Sequence, residues 1–408
     1  MKQKHLILIA IAFFTVVFVS SCSKDESDSY GGDYDYAEKI SLNTRQDVCN
    51  DKLIDFAYDM IEVMETSYSK GNQFCVSPLS VEFTLGMIAN ASSEDVRKVI
   101  CEKLGSENLE DLNSYARIML ENMPALDKKT DLKISNLVLA DNSFSLADQF
   151  KNNVETNYMA EIANKDFHSS KTMTYVNDWI TKKTGGKIKE LFKSDVLFKS
   201  SFIFANAIYF KGPWANRLVF DKVQDQDFIT ARGNSVKLEM LETKRDDLNI
   251  QEYGCYRTLV VPFGNYAFEF RINLPDEGVS CADMIKEIKT HGQMLRSTKT
   301  SLARFPKFIS SYSVDLTDFI RVLGLEEVLS NSLPELSNGT NPAFIDYMKQ
   351  RCVVEVTEKG VEAATVTGVG GIGKLTTSQE FIADRPFIYT ITEKSTGAVL
   401  FAGKFSGE

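Results

Sequence analysis

Apolar residues recur at helical spacing through residues 46–66, with Val48, Leu53, Phe56, Ala57, Met60, Ile61 and Met64 on one stripe. This spacing predicts an amphipathic helix of several turns. Residues 81–90 predict a second, largely buried helix entered through Ser77-Pro78, and residues 116–122 a third helical piece. The period then changes. Residues 132–139 alternate, residues 202–210 are almost continuously apolar, and residues 258–274 give two strand-like runs around Phe263-Gly264-Asn265. Further strands are predicted at 301–308, 352–356, 387–392 and 399–405. Helices thus crowd the first half and sheet the second, which is an α+β pattern. No repeat or Pro-rich linker divides residues 46–408, so they read as one large domain. At 408 residues, 43% hydrophobic and 25% charged, the chain is neither disordered nor fibrous and buries a sizeable core.

The start of the chain reads as an address. Lys2 and Lys4 precede an apolar run over residues 6–19 that ends in small residues, the layout of a secretory signal. Val19-Ser20-Ser21-Cys22 resembles a bacterial lipobox, in which Cys22 becomes the acylated first residue. Ser23-Lys24-Asp25-Glu26 looks like the surface-export signal of certain bacterial lipoproteins. The organisation expected is a signal peptide over residues 1–21, a lipidated cysteine with a flexible tether over 22–44, and a single domain over 45–408. The expected location is the outer membrane, facing outward from the cell.

Charge and titratable residues exclude several classes of function. A formal charge of −10 argues against a general nucleic-acid binder. His5 falls in the leader, which leaves His168 and His291 for any chemistry; each reads as a solvated loop or helix-end histidine. No histidine-rich metal site is expected, and no cofactor. Cysteines 49, 75, 101, 255, 281 and 352 contain no Cys-x-x-Cys pair, so neither a zinc ribbon nor a thioredoxin-type site is encoded. Export would permit disulfides, but their pairing is left open. There is no Gly-x-Ser-x-Gly elbow. Lysines 182, 183, 187, 189 and 193 read as a solvated face rather than a polyanion site.

Residues 358–377 (EKGVEAATVTGVGGIGKLTT) admit three readings. Gly368-x-Gly370-x-x-Gly373 fits a dinucleotide fingerprint, and Gly368-x-x-x-x-Gly373-Lys374-Leu375 misses a P-loop only at its last position. Both need a helix to open after the glycines, whereas residues 375–385 run polar into Pro386. A plain flexible loop is the second reading. The third rests on the residues before the glycines. Alternation puts Val361, Ala363, Thr365, Thr367 and Val369 on one face of a strand, all of them small or β-branched and none charged. Such a segment can stand as a loop and can also slot between existing strands without burying a charge.

Ordered motifs across nearly all of the chain after the tether resemble the serpin family. They include residues 72–80 (NQFCVSPLS), 176–188 (VNDWITKKTGGKI), 204–214 (FANAIYFKGPW), Asn273-Leu274-Pro275-Asp276-Glu277, Phe305-Pro306-Lys307, 381–388 (FIADRPFI), and the closing Thr396-Gly397-x-x-Leu400-Phe401-x-Gly403. The resemblance implies a helix-rich N-terminal half packed on a large central mixed sheet, with two further sheets and an exposed reactive loop over residues 358–380. It also implies a suicide inhibitor of proteases rather than an enzyme. In that mechanism the protease cuts the loop, forms its acyl-enzyme, and is trapped as the loop inserts as a new strand.

Carried over residue by residue, the hinge is Glu358, Gly360, Val361, Glu362, Ala363 and Ala364, with Val361 departing from the family's usual Thr or Ser. Ser77, Ser80, Asn206 and Gln350 match polar shutter positions under the opening sheet, and Trp214 matches the aromatic at its top. Gln350 stands where the family often has histidine. A glutamine hydrogen-bonds but does not titrate. The common loop length places Lys374-Leu375 as the reactive bond, and a lysine there suits a trypsin-like protease with a carboxylate in its primary pocket. The partners expected are that protease and, through Cys22, the membrane, with the protein a monomer. Two alternatives stand beside this reading. One is inhibition of elastase-like or papain-like proteases through a neighbouring bond such as that at Ile372. The other is a non-inhibitory surface protein that binds a partner or is merely cut.

Overall fold

The computed structural model describes residues 37–191, 201–215, 218–245, 248–339, 342–345, 348–361 and 379–408. Lys374, Leu375, Glu362, Ala363, Ala364 and Cys22 lie outside the described residues.

Helix α1 (Thr44–Val63) starts with a capping box: the Asn43 side chain accepts from the Gln46 backbone N–H, and the Gln46 side chain accepts from that of Asn43. A π-helical turn (Met64–Tyr68) continues it. Strand β1 (Phe74–Val76) leads into α2 (Pro78–Ala91), where Ser77 accepts from the Ser80 N–H and Pro78 takes the first position. Every residue of α2 is buried, the environment expected for a helix apolar on all sides. The first half continues with α3 (Glu94–Lys103), α4 (Leu109–Asn122), β2 (Asp131–Asp141), α5 (Asp148–Tyr158), β3 (Glu161–Lys165) and α6 (Ser170–Lys183).

The second half is mostly strand. It contains β4 (Phe202–Pro213), β5 (Asp221–Ile229), β6 (Ser235–Thr243), β7 (Asn249–Glu252), β8 (Tyr256–Pro262), β9 (Phe268–Pro275), α7 (Cys281–Lys289), β10 (Arg296–Pro306), β11 (Phe308–Asp315), α8 (Leu316–Val322) and α9 (Glu326–Ser330). After these come β12 (Lys349–Thr357), β13 (Gly360–Val361), β14 (Gln379–Ile382), β15 (Phe387–Glu393) and β16 (Val399–Phe405).

Among the described residues the strands form two sheets. A six-stranded mixed sheet runs β11-β12-β13-β4-β2-β3, and a ten-stranded sheet runs β1-β16-β15-β9-β8-β7-β10-β6-β5 with β14 also on β10. The two further sheets expected from sequence are therefore joined. The first part of β10 pairs with β7, and its last part with β6 and β14, so one strand belongs to both. The six-stranded sheet is covered on its outer face by α6, whose Val176, Trp179 and Ile180 pack on Leu137, Leu139, Ile203 and Ala205. Its other face meets the main core, which α2 crosses.

The strands expected at 132–139, 202–210 and 258–274 are β2, β4 and the β8–β9 pair. The helical piece at 116–122 is the second half of α4. Two boundaries differ from the sequence reading. Ala37 and Ile40, read as part of the tether, already lie on the body: the Ala37 N–H reaches the Asn265 carbonyl at 3.3 Å and the Ile40 N–H the Ser395 hydroxyl at 3.0 Å. Gly360 and Val361 at one end of the expected loop, and Gln379 and Glu380 at the other, are strand residues. Both ends are held by ladders that a local reading of the sequence does not contain.

Candidate functional site: a slot between two strands

The six-stranded sheet is open at its middle. On one side β12 is paired with β11 along its whole length, from Phe308↔Val356 to Asp315↔Lys349. On its other side, among the described residues, only Val356 and Thr357 are paired, with Val361 and Gly360 of β13. β13 pairs in turn with Gly212 and Pro213 of β4. The far side of β4 is fully paired with β2, from Asp131↔Lys211 to Ala140↔Phe202. Since β13 is antiparallel to both neighbours, β4 and β12 run parallel below Val361, and among the described residues no ladder joins them. A cleft of about 360 Å³, measured out to open solvent, marks the gap. Ile208 and Phe210, Val353 and Glu355, Val361 and Lys187 line it.

Burial along β4 reports the same opening. Its outward residues Ile203, Ala205 and Ala207 are buried beneath α6, while Phe204, Asn206 and Ile208 on the core face are only half-buried. A central strand more exposed on its inner face than on its outer one has a neighbour missing.

The head of the slot is built for a tight reversal. Gly360 has φ +127, and a Cβ on it would stand 2.2 Å from the Gly212 carbonyl oxygen, so only glycine fits. The Thr357 hydroxyl donates to the Gly360 carbonyl at 2.8 Å. The Trp214 indole N–H donates to the Thr357 carbonyl at 3.1 Å, and the Trp214 backbone N–H to the Lys359 carbonyl at 3.3 Å. The indole lies flat on Phe263, with centroids 5.0 Å apart, and meets Phe305 edge-on. Glu358 stands between Lys222 at 3.3 Å and Lys307 at 3.6 Å. Partial burial acts to raise its carboxyl pKa, but a backbone hydrogen bond and the two lysines outweigh it and hold the group below the usual glutamate range.

Farther along, the slot passes polar side chains on both strands. Gln350 of β12 accepts from the Ser77 N–H and donates to the Ser77 carbonyl, each at 2.9 Å. The Ser77 hydroxyl donates to the Leu400 carbonyl at 2.6 Å and accepts from the Ser80 N–H at 3.3 Å. Across the gap, Asn206 of β4 donates to Asn136 at 2.6 Å, and Asn136 donates to the Tyr158 carbonyl at 2.6 Å. The Asn206 side-chain oxygen is buried without a partner. An unsatisfied buried acceptor beside an open slot calls for a donor.

A strap crosses the outer side. After α6 the chain turns through Thr184 and reaches β12, where Lys187 pairs with Glu355 at 2.8 Å and Arg351 donates to the Glu190 carbonyl at 3.2 Å. Lys183 pairs with Glu161.

The structure therefore gathers Glu358, Gly360, Val361 and Trp214 at the head of the slot, and Gln350, Ser77, Ser80 and Asn206 farther down. Val361 is already buried in the sheet. His168 and His291 sit on separate turns, His291 facing Asp55 at 3.5 Å. Three residues escaped the sequence reading: Lys222 and Lys307 around Glu358, and Asn136 below Asn206; Lys187, read as part of a solvated face, instead pairs with Glu355 of β12. Lys187 and Lys307 lay inside quoted motifs, but nothing local reveals a partner that far along the chain.

Residues 51–407 match the family model for Serpin (serine protease inhibitor). The chain is 28% identical over 358 residues to Serpin-Z10 of Arabidopsis thaliana, covering 82% of this chain and 92% of that one. It is 28% identical over 372 residues to the leukocyte elastase inhibitor of Bos taurus, covering 86% and 97%. The solved structure of Arabidopsis AtSerpin1 in its native stressed conformation superposes with a TM-score of 0.73 at 25% identity, covering 89% of this chain and 98% of that one. The motifs, the two sheets with their open slot and the match over residues 51–407 lead to one conclusion: this chain belongs to the serpin family.

Proposed function

We propose that this protein is a suicide inhibitor of trypsin-like serine endopeptidases, cut at Lys374-Leu375 and trapping its target as a covalent acyl-enzyme while its loop inserts into the slot. The observation that carries this reading is β13. Two residues of the segment already pair with both β12 and β4, and among the described residues the strands continue beyond them without a ladder of their own.

The register of that first step fixes the rest. Continued in the same frame, residue 363 falls between Val354 and Phe210, Thr365 between Cys352 and Ile208, and Thr367 between Gln350 and Asn206. These positions face the core, as Val361 does. They are the uncharged set that alternates in the sequence, and Thr367 brings a hydroxyl to the unpartnered Asn206 oxygen. Glu362 faces outward between Glu355 and Lys211. About ten new backbone hydrogen bonds at roughly 1 kcal/mol net each contribute on the order of 10 kcal/mol, comparable to the stability of a whole domain. That is enough to drag and distort a tethered protease.

A signal peptide over residues 1–21 and a lipid on Cys22 complete the proposal, with the inhibitor shielding the outer surface of its own cell from proteases. The test is denaturing gel electrophoresis after mixing with trypsin. A band of protein plus protease that survives boiling is expected. Cleavage without that band would move the protein to the non-inhibitory reading. A band with elastase but not with trypsin would shift the bond toward Ile372, in line with the leukocyte elastase inhibitor among its relatives.

A further inference from the structure

Cys75 of β1 and Cys352 of β12 face each other inside the core with their sulfurs 2.8 Å apart. Both are free thiols in this structure, yet their sulfurs stand closer than unbonded sulfurs ordinarily settle, and a covalent S–S bond of about 2.05 Å would close the remaining gap. The backbones are held in place for a bond. Two residues from each cysteine, Ser77 just past β1 and Gln350 on β12 exchange a pair of hydrogen bonds at 2.9 Å, which pins β1 against β12. β1 is fixed on its other side as well, with Cys75 opposite Gly403 of β16. Both cysteines are buried.

We propose that Cys75 and Cys352 form a disulfide that fastens β12 of the six-stranded sheet to β1 of the ten-stranded sheet. Formation removes one proton and one electron from each thiol and joins the sulfurs. The electrons and protons pass to a small-molecule or protein disulfide, which leaves as two thiols. The timing follows from burial, which pushes the Cys352 thiol well above its ordinary pKa, so the attacking thiolate is scarce once the core has closed. The bond therefore forms during folding, and the same burial shields it afterwards from reductants in solution.

The consequence for the slot rests on the insertion reading; the bond itself does not. With β12 fastened to the body, the side free to move when a strand enters is β4 with β2, β3 and α6.

The experiment is a peptide map of the full chain. The chain is unfolded, refolded in a glutathione and glutathione disulfide buffer, unfolded again with excess iodoacetamide, and digested with trypsin without reductant. Cleavage after lysine and arginine releases residues 71–97 and 352–359, each holding a single cysteine. A linked species of these two peptides that separates on reduction is expected. Alkylation of both cysteines, or the pairing of either with another cysteine, overturns the assignment. Because the map needs no protease target, its failure is distinguishable from failure of the inhibitory reading.

Discussion

Thr365→Glu, a charge that creates no new site for trypsin, is expected to turn the inhibitor into a substrate: trypsin still cuts the loop, but the boiling-resistant band falls by up to about a hundredfold. The frame set by β13 places residue 365 between Cys352 and Ile208 on the core face. Neither strand offers a charged side chain on that face. The core-facing residues are Gln350, Cys352, Val354 and Val356 on β12, and Phe204, Asn206, Ile208 and Phe210 on β4. A glutamate inserted there is a buried, unpaired charge, which costs several kcal/mol. At about 1.4 kcal/mol per tenfold in rate, a 3 kcal/mol rise in the insertion barrier slows it about a hundredfold, and hydrolysis of the acyl-enzyme then wins. Val361→Arg is the poorer test, because Val361 is buried before any cleavage and its replacement would disturb the starting structure too. Densitometry of complex against cleaved chain checks the expectation. An unchanged band for Thr365→Glu would place the inserted strand elsewhere.

The second large effect concerns the bait. Lys374→Ala is expected to lower the rate of complex formation with trypsin by on the order of 10³-fold or more, because the carboxylate at the base of the protease's primary pocket is then left without its cation. Thermal stability, measured alongside as the control, is expected to be unchanged. Second-order rate constants with trypsin, measured for both chains under excess inhibitor, decide it. Equal rates would move the reactive bond away from Lys374.

The legibility of the site in the sequence divided along a physical line. Alternation through Val361, Ala363, Thr365 and Thr367 is local and could be read directly, because strand period is written in the residues themselves. Gly360 could be recognised as a hinge residue, but its reason could not. That reason is the Gly212 carbonyl, more than a hundred residues earlier. The same holds for Glu358 with Lys222 and Lys307, and for Cys75 with Cys352, which meet only when distant strands stack. The helices α3 and α5 were not predicted, and α7 only through the helix end read at His291. They are short and amphipathic, and each buries only three residues. The joining of the two further sheets through β10 depends on one strand changing partners along its length, which no periodicity encodes.

The central claim is that a cut loop becomes a strand between β4 and β12. Thermal unfolding of the chain before and after a single cut within residues 362–378 tests it most directly, with the protease removed. About ten added hydrogen bonds, on the order of 10 kcal/mol, are expected to raise Tm by roughly 10–15 °C in a domain of this size. The same cut in Thr365→Glu should give no rise. A cut wild-type chain that melts at or below the temperature of the intact one would contradict insertion.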